Sequence, residues 1–174
     1  MGNIYVGLTD YDWYCTLKSE NFDEVNFWRP GGTPFRALKP NDLFLFKLKR
    51  PYYAIVGGGF FVKYSLLPIT LAWEAFGGKN GTSSYTEFSN RLRRYREKNR
   101  IDLSNPYVGC IILTQPFFFE QEDWIDPPND WPSNTVVGKT WIQKWVKESV
   151  FSKKYAIDWN EHQNPIKWCQ MIKR

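Results

Sequence analysis

The sequence predicts an α+β domain: a small, curved, mostly antiparallel β-barrel of five or six strands with short helices on its flanks. Three observations carry this reading. Short runs rich in β-branched and aromatic residues, several with strict alternation, recur along the chain. Helical periodicity is brief except in one stretch, Tyr85 to about Asn99. The 174 residues, 43% hydrophobic and 18% aromatic, suit one core, so 1–138 is expected as the folded unit and the basic, Trp-rich 139–174 as an extension.

Asn3 to Thr9 alternates Ile4, Val6 and Leu8 with Tyr5 and Gly7 and reads as a first strand. Asp10 is placed to cap a helix from Tyr11 to Ser19, with Trp13, Tyr14 and Leu17 at helical spacing. Glu24 to Trp28 is extended and ends at Pro30-Gly31-Gly32. The turn Lys39-Pro40-Asn41-Asp42 leads into a strand from Leu43 to Lys49, and Tyr53 to Tyr64 pairs with it through Arg50-Pro51. Gly57, Gly58 and Gly59 interrupt that partner strand and mark a bulge or a close approach by a ligand or neighbouring chain.

Ile69 to Phe76 reads as a short helix. Ser84 and Glu87 form a capping box for the longer one. Its apolar stripe is Tyr85, Phe88, Leu92 and Tyr95, with Arg91, Arg94 and Lys98 on one flank and Arg93, Arg96 and Arg100 on the other. Tyr107 to Thr114 is a further strand, and Val136 to Trp141 closes the set.

The net charge of +5 is localised. Arg91 to Arg100 holds six basic residues against Glu97, and Lys139 to Arg174 holds eight against three acids, so the remainder of the chain is acidic. Concentrated positive charge suggests a surface for a polyanion, the plain alternative being a solvated helix face and a basic tail. No apolar run approaches the roughly 18 residues of a membrane helix. The start, MGNIYVGLTDYDW, has no signal-peptide character, so a cytoplasmic protein without membrane partners is expected. Cys15, Cys110 and Cys169 are odd in number and far apart, as buried or incidental thiols would be.

Catalytic options narrow by subtraction. The single histidine, His162, lies beside Glu161 in the tail, so histidine metal clusters, Ser-His-Asp triads and histidine-based nuclease sites lack their residues. No Asp or Glu stands two positions before a Lys, the pattern of a second nuclease class. Glu120, Glu122, Asp123 and Asp126 form a carboxylate cluster that reads better as a solvated acidic loop than as a cation site. A non-enzyme needing no cofactor and no metal is the expectation.

Aromatic residues on loops and strand ends are plentiful instead: Trp13, Trp28, Trp73, Trp124 and Trp131, with Thr9, Asp10, Asn26 and Gln115 supplying polar groups nearby. A base held between aromatic faces and read by one or two hydrogen bonds needs this mixture. Rings filling a small barrel are the competing reading, evenly balanced for Trp28 beside Asn26 and the Gly-Gly loop.

The blocks NIYVGLTDYDW, EVNFWRP, FRALKPNDLFLFKL, IVGGGFFVKYSLLPITLAWEAFG and VGCIILTQPFFF resemble the N-terminal domain of predicted bacterial HNH restriction endonucleases. Their order is similar to that of the EVE and YTH modules of the PUA superfamily, with Asn41 where those modules carry Gly before the Asp. The resemblance covers about residues 3 to 138, and 139–174 does not resemble the HNH region. It implies a PUA-like barrel gripping a flipped, modified base in an aromatic cage. Trp28 and Asn26 would lie in the cage loop, Thr9 and Asp10 after the first strand, and Phe60 or Tyr64 on the glycine strand. Double-stranded DNA carrying a modified base is the implied partner, with cleavage left to a separate nuclease. Two alternatives stay open: an RNA-binding module of the same fold, and a pocket for a nucleotide-like metabolite.

Overall fold

The fold was obtained as a computed structural model, which describes residues 4–127, 129–132 and 138–141. Strand β1 (Ile4–Thr9) leads into helix α1 (Tyr11–Ser19), followed by β2 (Glu24–Arg29), β3 (Leu43–Leu48) and the long β4 (Ile55–Pro68). Helices α2 (Ile69–Phe76) and α3 (Tyr85–Lys98) flank a 3-10 turn at Gly77–Asn80, and β5 (Tyr107–Phe118) and β6 (Gly138–Trp141) follow. The sheet order is β2-β5-β4-β3-β1-β6, with β1 and β3 parallel and the other pairs antiparallel.

Two strands separate β2 from β3 in that order, yet Phe27 on β2 and Phe44 on β3 stand 4.7 Å apart between ring centroids. Only a sheet curled back on itself brings them together, so the expected α+β barrel is the observed architecture. Phe44 and Phe46 point into this interior with Trp13 and Val56, while Leu43 and Leu45 face a second core with Ile55, Phe60 and Phe117. β3 is therefore buried on both faces, which explains its apolar run from Leu43 to Phe46. A third core joins Phe88 and Leu92 of α3 to Ala72 of α2 and Val108 of β5.

The curl depends on the three glycines. A Cβ on Gly57 would sit 2.2 Å from the Phe117 carbonyl oxygen, and one on Gly58 2.7 Å from that of Phe44. The pairing register of β4 with β5 shifts between Gly58 and Phe60. Here the close approach comes from neighbouring strands of the same chain.

Three local expectations need correction. Asp10 occupies the cap position of α1, but its side chain makes no capping hydrogen bond and pairs with Lys49 instead. In α3 Ser84 caps the Glu87 N–H as expected, whereas the Glu87 carboxylate accepts from the N–H and hydroxyl of Ser83. The buried face of α3 is Phe88, Leu92 and Arg96, while Tyr85 is exposed. Of the predicted final strand, residues 136 and 137 lie outside the described residues, as does the tail from 142 onward.

Candidate functional site

Parallel pairing sets the site. Thr9 lies opposite Leu48, so β1 and β3 end side by side, and Lys49 N–H donates to the Thr9 carbonyl at 3.1 Å. The residue after each strand then meets across the gap, Lys49 Nζ reaching Asp10 Oδ1 at 2.9 Å. On the other side, β2 delivers Phe27, Trp28 and Arg29, and α3 delivers Arg91 and Tyr95.

These elements enclose a cavity of about 150 Å³ with Trp13, Phe27, Trp28 and Tyr95 as aromatic walls. Leu8, Pro30, Gly31 and Ile101 complete its apolar lining, and Thr9, Asp10, Arg29, Thr33, Lys49 and Arg91 contribute polar groups. It adjoins an outer vestibule of about 430 Å³ that shares Leu8, Asp10, Trp28, Lys49, Arg91 and Tyr95 and adds Asp12, Arg94, Lys98 and Asn99. An aromatic chamber thus opens onto a cationic porch.

The walls are held from behind. Trp13 is buried, edge-on to Phe27 and Phe46, and a Cβ on Gly81 would come within 2.2 Å of its ring. Trp28 Nε1 donates to the Asn80 carbonyl at 3.0 Å, and its ring meets Phe88 edge-on. Burial pushes the Tyr95 phenol above its ordinary pKa, the Asp10 charge acts in the same direction and Arg29 opposes them. The phenol therefore keeps its proton near neutrality.

Thr9, Asp10, Trp13 and Trp28, expected in the pocket, do line it. Asn26, Phe60, Tyr64 and Gln115 do not. Asn26 is fully buried and donates from Nδ2 to Asn80 Oδ1 at 2.8 Å, serving the turn behind Trp28. Phe60 points into the second core. The Tyr64 hydroxyl donates to Gly32 O at 2.7 Å and so steadies the loop whose Gly31 forms part of the wall. Gln115 takes a positive φ of 50° at the far end of β5, where its N–H donates to Asp23 O.

The basic helix divides in the same way. Arg91, Arg94 and Lys98 share the vestibule, as their i, i+3, i+7 spacing implies. Arg91 is engaged by Glu87, while Arg94 and Lys98 are exposed. Arg93 is exposed and paired with Glu97 at 3.0 Å, and Arg100 lies beyond the helix end with φ 55°. Arg96 is the clear correction. Only 2% exposed, it donates to the carbonyls of Pro30, Asn105 and Tyr107. Three inward-facing carbonyls demand a buried multi-donor, and the planar guanidinium supplies one.

Phe27, Arg29, Lys49 and Tyr95 were not anticipated. Tyr95 belonged to the expected apolar stripe, and Lys49 becomes a site residue only through a parallel pairing that no local pattern announces. Among the other tryptophans, Trp73 packs on Phe88, Trp124 on Tyr14, and Trp131 in the second core. Cys15 is exposed and Cys110 buried. Glu120 of the acidic loop pairs with Lys18, and among the described residues no three His, Cys, Asp or Glu side chains gather as a metal site. No helix among them is long and apolar enough to cross a membrane.

No protein-family model matches the sequence, and no curated protein does. Solved structures match by shape. The ASCH protein from Zymomonas mobilis superposes with a TM-score of 0.52 at 13% identity, covering 86% of this chain and 94% of its own. Its Tyr-to-Phe and Ser-to-Ala mutants each give a TM-score of 0.54 at 13% and 12% identity. Those matches cover 84% of this chain and 98% and 96% of the mutants. The likeness shows the class of fold alone, an α+β barrel shared with the ASCH protein.

Proposed function

We propose that this chain binds nucleic acid by drawing one base into the aromatic cavity while the adjoining phosphates lie along α3. The observation that carries the reading is the continuity of the two chambers. A cavity of about 150 Å³ has the size that takes a single benzene-like ring. Its mouth passes directly to Arg94 and Lys98. Stacking faces inside and cations outside are what a base and its phosphates respectively require.

At the mouth, Asp10 is an acceptor and Lys49 a neighbouring donor, so together they suit a base edge with a donor beside an acceptor. In this reading they serve recognition, and the chain acts as a binder rather than a nuclease. The resemblance in sequence favours a modified base in double-stranded DNA, within a modification-dependent restriction system whose cutting is supplied by a separate nuclease. RNA is the competing polymer, since the same chambers accept either backbone.

The test is a set of titrations at fixed salt with matched DNA duplexes carrying unmodified, methylated or hydroxymethylated cytosine or N6-methyladenine, each with its RNA counterpart. Preferential binding of one modified DNA duplex supports the full reading. Preference for RNA moves the assignment to the competing polymer. Binding of free bases or nucleosides, with none to any polynucleotide, would replace it with a metabolite pocket.

A further inference from the structure

The loop after β2 supplies one wall of the cavity, and side chains from three elements hold it. Arg96 of α3 donates to the Pro30 carbonyl at 3.0 Å, Tyr64 of β4 to that of Gly32 at 2.7 Å, and Arg29 of β2 to that of Pro34 at 3.2 Å. Alternate carbonyls of the loop are thereby tied to the scaffold. The residues between them, Gly31 and Thr33, line the cavity. A wall fixed at three points keeps its shape when a ligand enters, so the size of its side chains decides what fits.

Gly31 is the glycine of that wall, and the fold does not require it. It stands third in the turn Arg29-Pro30-Gly31-Gly32, closed by the Gly32 N–H on the Arg29 carbonyl at 3.0 Å. Its φ lies outside the left-handed region, which its neighbour Gly32 enters at 67°. A third turn position of this kind accepts most residues. Packing makes no demand for glycine either. Among the described residues, a Cβ on Gly31 would meet only Thr33 Oγ1 at 3.7 Å and Ile101 Cδ1 at 3.8 Å, both ordinary contacts. A Cβ on Gly32, by contrast, would come within 2.9 Å of Leu66 Cδ1. Thr33 and Ile101 are themselves cavity residues, so the side chain missing at Gly31 is room inside the site.

We propose that Gly31 is a specificity-determining residue, the space it leaves receiving a substituent on the ring of the bound base. In a cavity sized for one ring, a substituent fits against the wall only where a side chain is missing. The Ile101 δ-methyl gives that space an apolar side and the Thr33 hydroxyl a polar one, which suits a group of methyl or hydroxymethyl size. So small a space discriminates, because one methylene added or removed in an apolar pocket changes binding about ten-fold or more. The inference rests on the nucleic-acid reading above and names the residue that senses the modification.

Titrations and melting curves on the full chain test it, with matched DNA duplexes and RNA strands carrying unmodified, methylated or hydroxymethylated cytosine, or adenine and N6-methyladenine. The unaltered protein should prefer at least one modified base by about ten-fold or more. Gly31→Ala should melt as the original does, bind the unmodified polymers as tightly, and lose that preference. Equal binding of modified and unmodified bases by the unaltered protein overturns the proposal and needs no variant to be folded. So does a Gly31→Ala protein that discriminates as before, or one that loses modified and unmodified ligands to the same degree. A clearly lowered melting temperature for Gly31→Ala would overturn it too, by assigning the glycine to the turn. Each of these failures leaves salt-dependent binding of polynucleotides in place. Absence of binding to every polymer would remove the nucleic-acid reading and this inference with it.

Discussion

The Trp28 indole N–H is bonded to the main-chain carbonyl of Asn80 at 3.0 Å, across 52 residues of sequence. Asn80 is itself fully buried, accepting from Asn26 and donating to the carbonyls of Ala72 and Gly77. This network uses up the polar edge of Trp28 and fixes the plane of its ring. What Trp28 can offer a ligand is its face, which is the part a stacked base uses.

Trp28→Ala should therefore remove about 1–3 kcal/mol of stacking and most discrimination between bases, while weak salt-sensitive binding through α3 persists. Trp28→Phe should keep most of both. The check is a pair of titrations and a melting curve on each variant. A stable Trp28→Ala protein that discriminates as before would take the residue out of the site. Loss of folding and all binding together would make it purely a core residue.

Asn80→Ala tests the support rather than the face. It strips the partner from buried Asn26, from the buried Ala72 carbonyl and from that of Gly77, so a loss of about 2–4 kcal/mol in stability is expected. Chemical denaturation measures this directly, and a loss below about 1 kcal/mol would show that the turn has other anchors.

The six cations of 91–100 should separate in experiment as they do in space. Arg96→Gln takes a fully buried guanidinium from the Pro30, Asn105 and Tyr107 carbonyls and should lower stability by about 2–4 kcal/mol. Arg94→Gln with Lys98→Gln should leave the melting temperature unchanged and flatten the salt dependence of binding by roughly 0.9 per lost phosphate contact. Stability and salt-slope measurements on both proteins decide it. An unaltered slope in the double variant would return α3 to a solvated face.

Arg96 also shows where sequence reasoning stops. Helical spacing placed Arg91, Arg94 and Lys98 on one flank correctly, because α3 is a regular helix whose angular order follows from 3.6 residues per turn. The same spacing put Arg96 on an outer flank, since it cannot register that the Pro30, Asn105 and Tyr107 carbonyls point inward from segments distant in sequence. Strand alternation located β1, apolar runs located β3 and β5, and the glycine cluster marked the bulge and close strand approach in β4. The pairing of β1 with β3 is parallel and non-local, so the meeting of Asp10 with Lys49, and with it half of the cavity mouth, was legible only in three dimensions. Asn26 and Trp28, two apart on β2, do share a face, and both bond Asn80. Asn26 is too short to pass that turn and is fully buried against it, while the larger Trp28 ring extends to the cavity, a difference of reach that strand spacing does not register.

Lys47 gives a stability prediction independent of any ligand. Fully buried on β3, its ammonium lies 3.4 Å from the centroid of the Tyr53 ring and 5.3 Å from that of Trp131. Burial, and secondarily the charge of Arg50, lower its pKa from 10.5 to about 8. Between those two values the unfolded chain holds a proton that the folded chain has released. Unfolding then takes up a proton, so this group's contribution to stability improves as pH rises from about 8 toward 10.5 and is least favourable below 8. Lys47→Met keeps the length of the side chain and removes the titration. Its stability relative to the original protein should fall by an amount of order 2 kcal/mol between pH 7 and pH 10. The comparison cancels the opposing effect of groups common to both proteins, such as Cys110, whose thiol burial pushes up to about 11. Denaturant unfolding at pH 7, 8, 9 and 10 provides the measurement. A difference that stays constant across that range would mean that Lys47 keeps an ordinary pKa, its charge held by the Tyr53 ring and the Leu48 carbonyl.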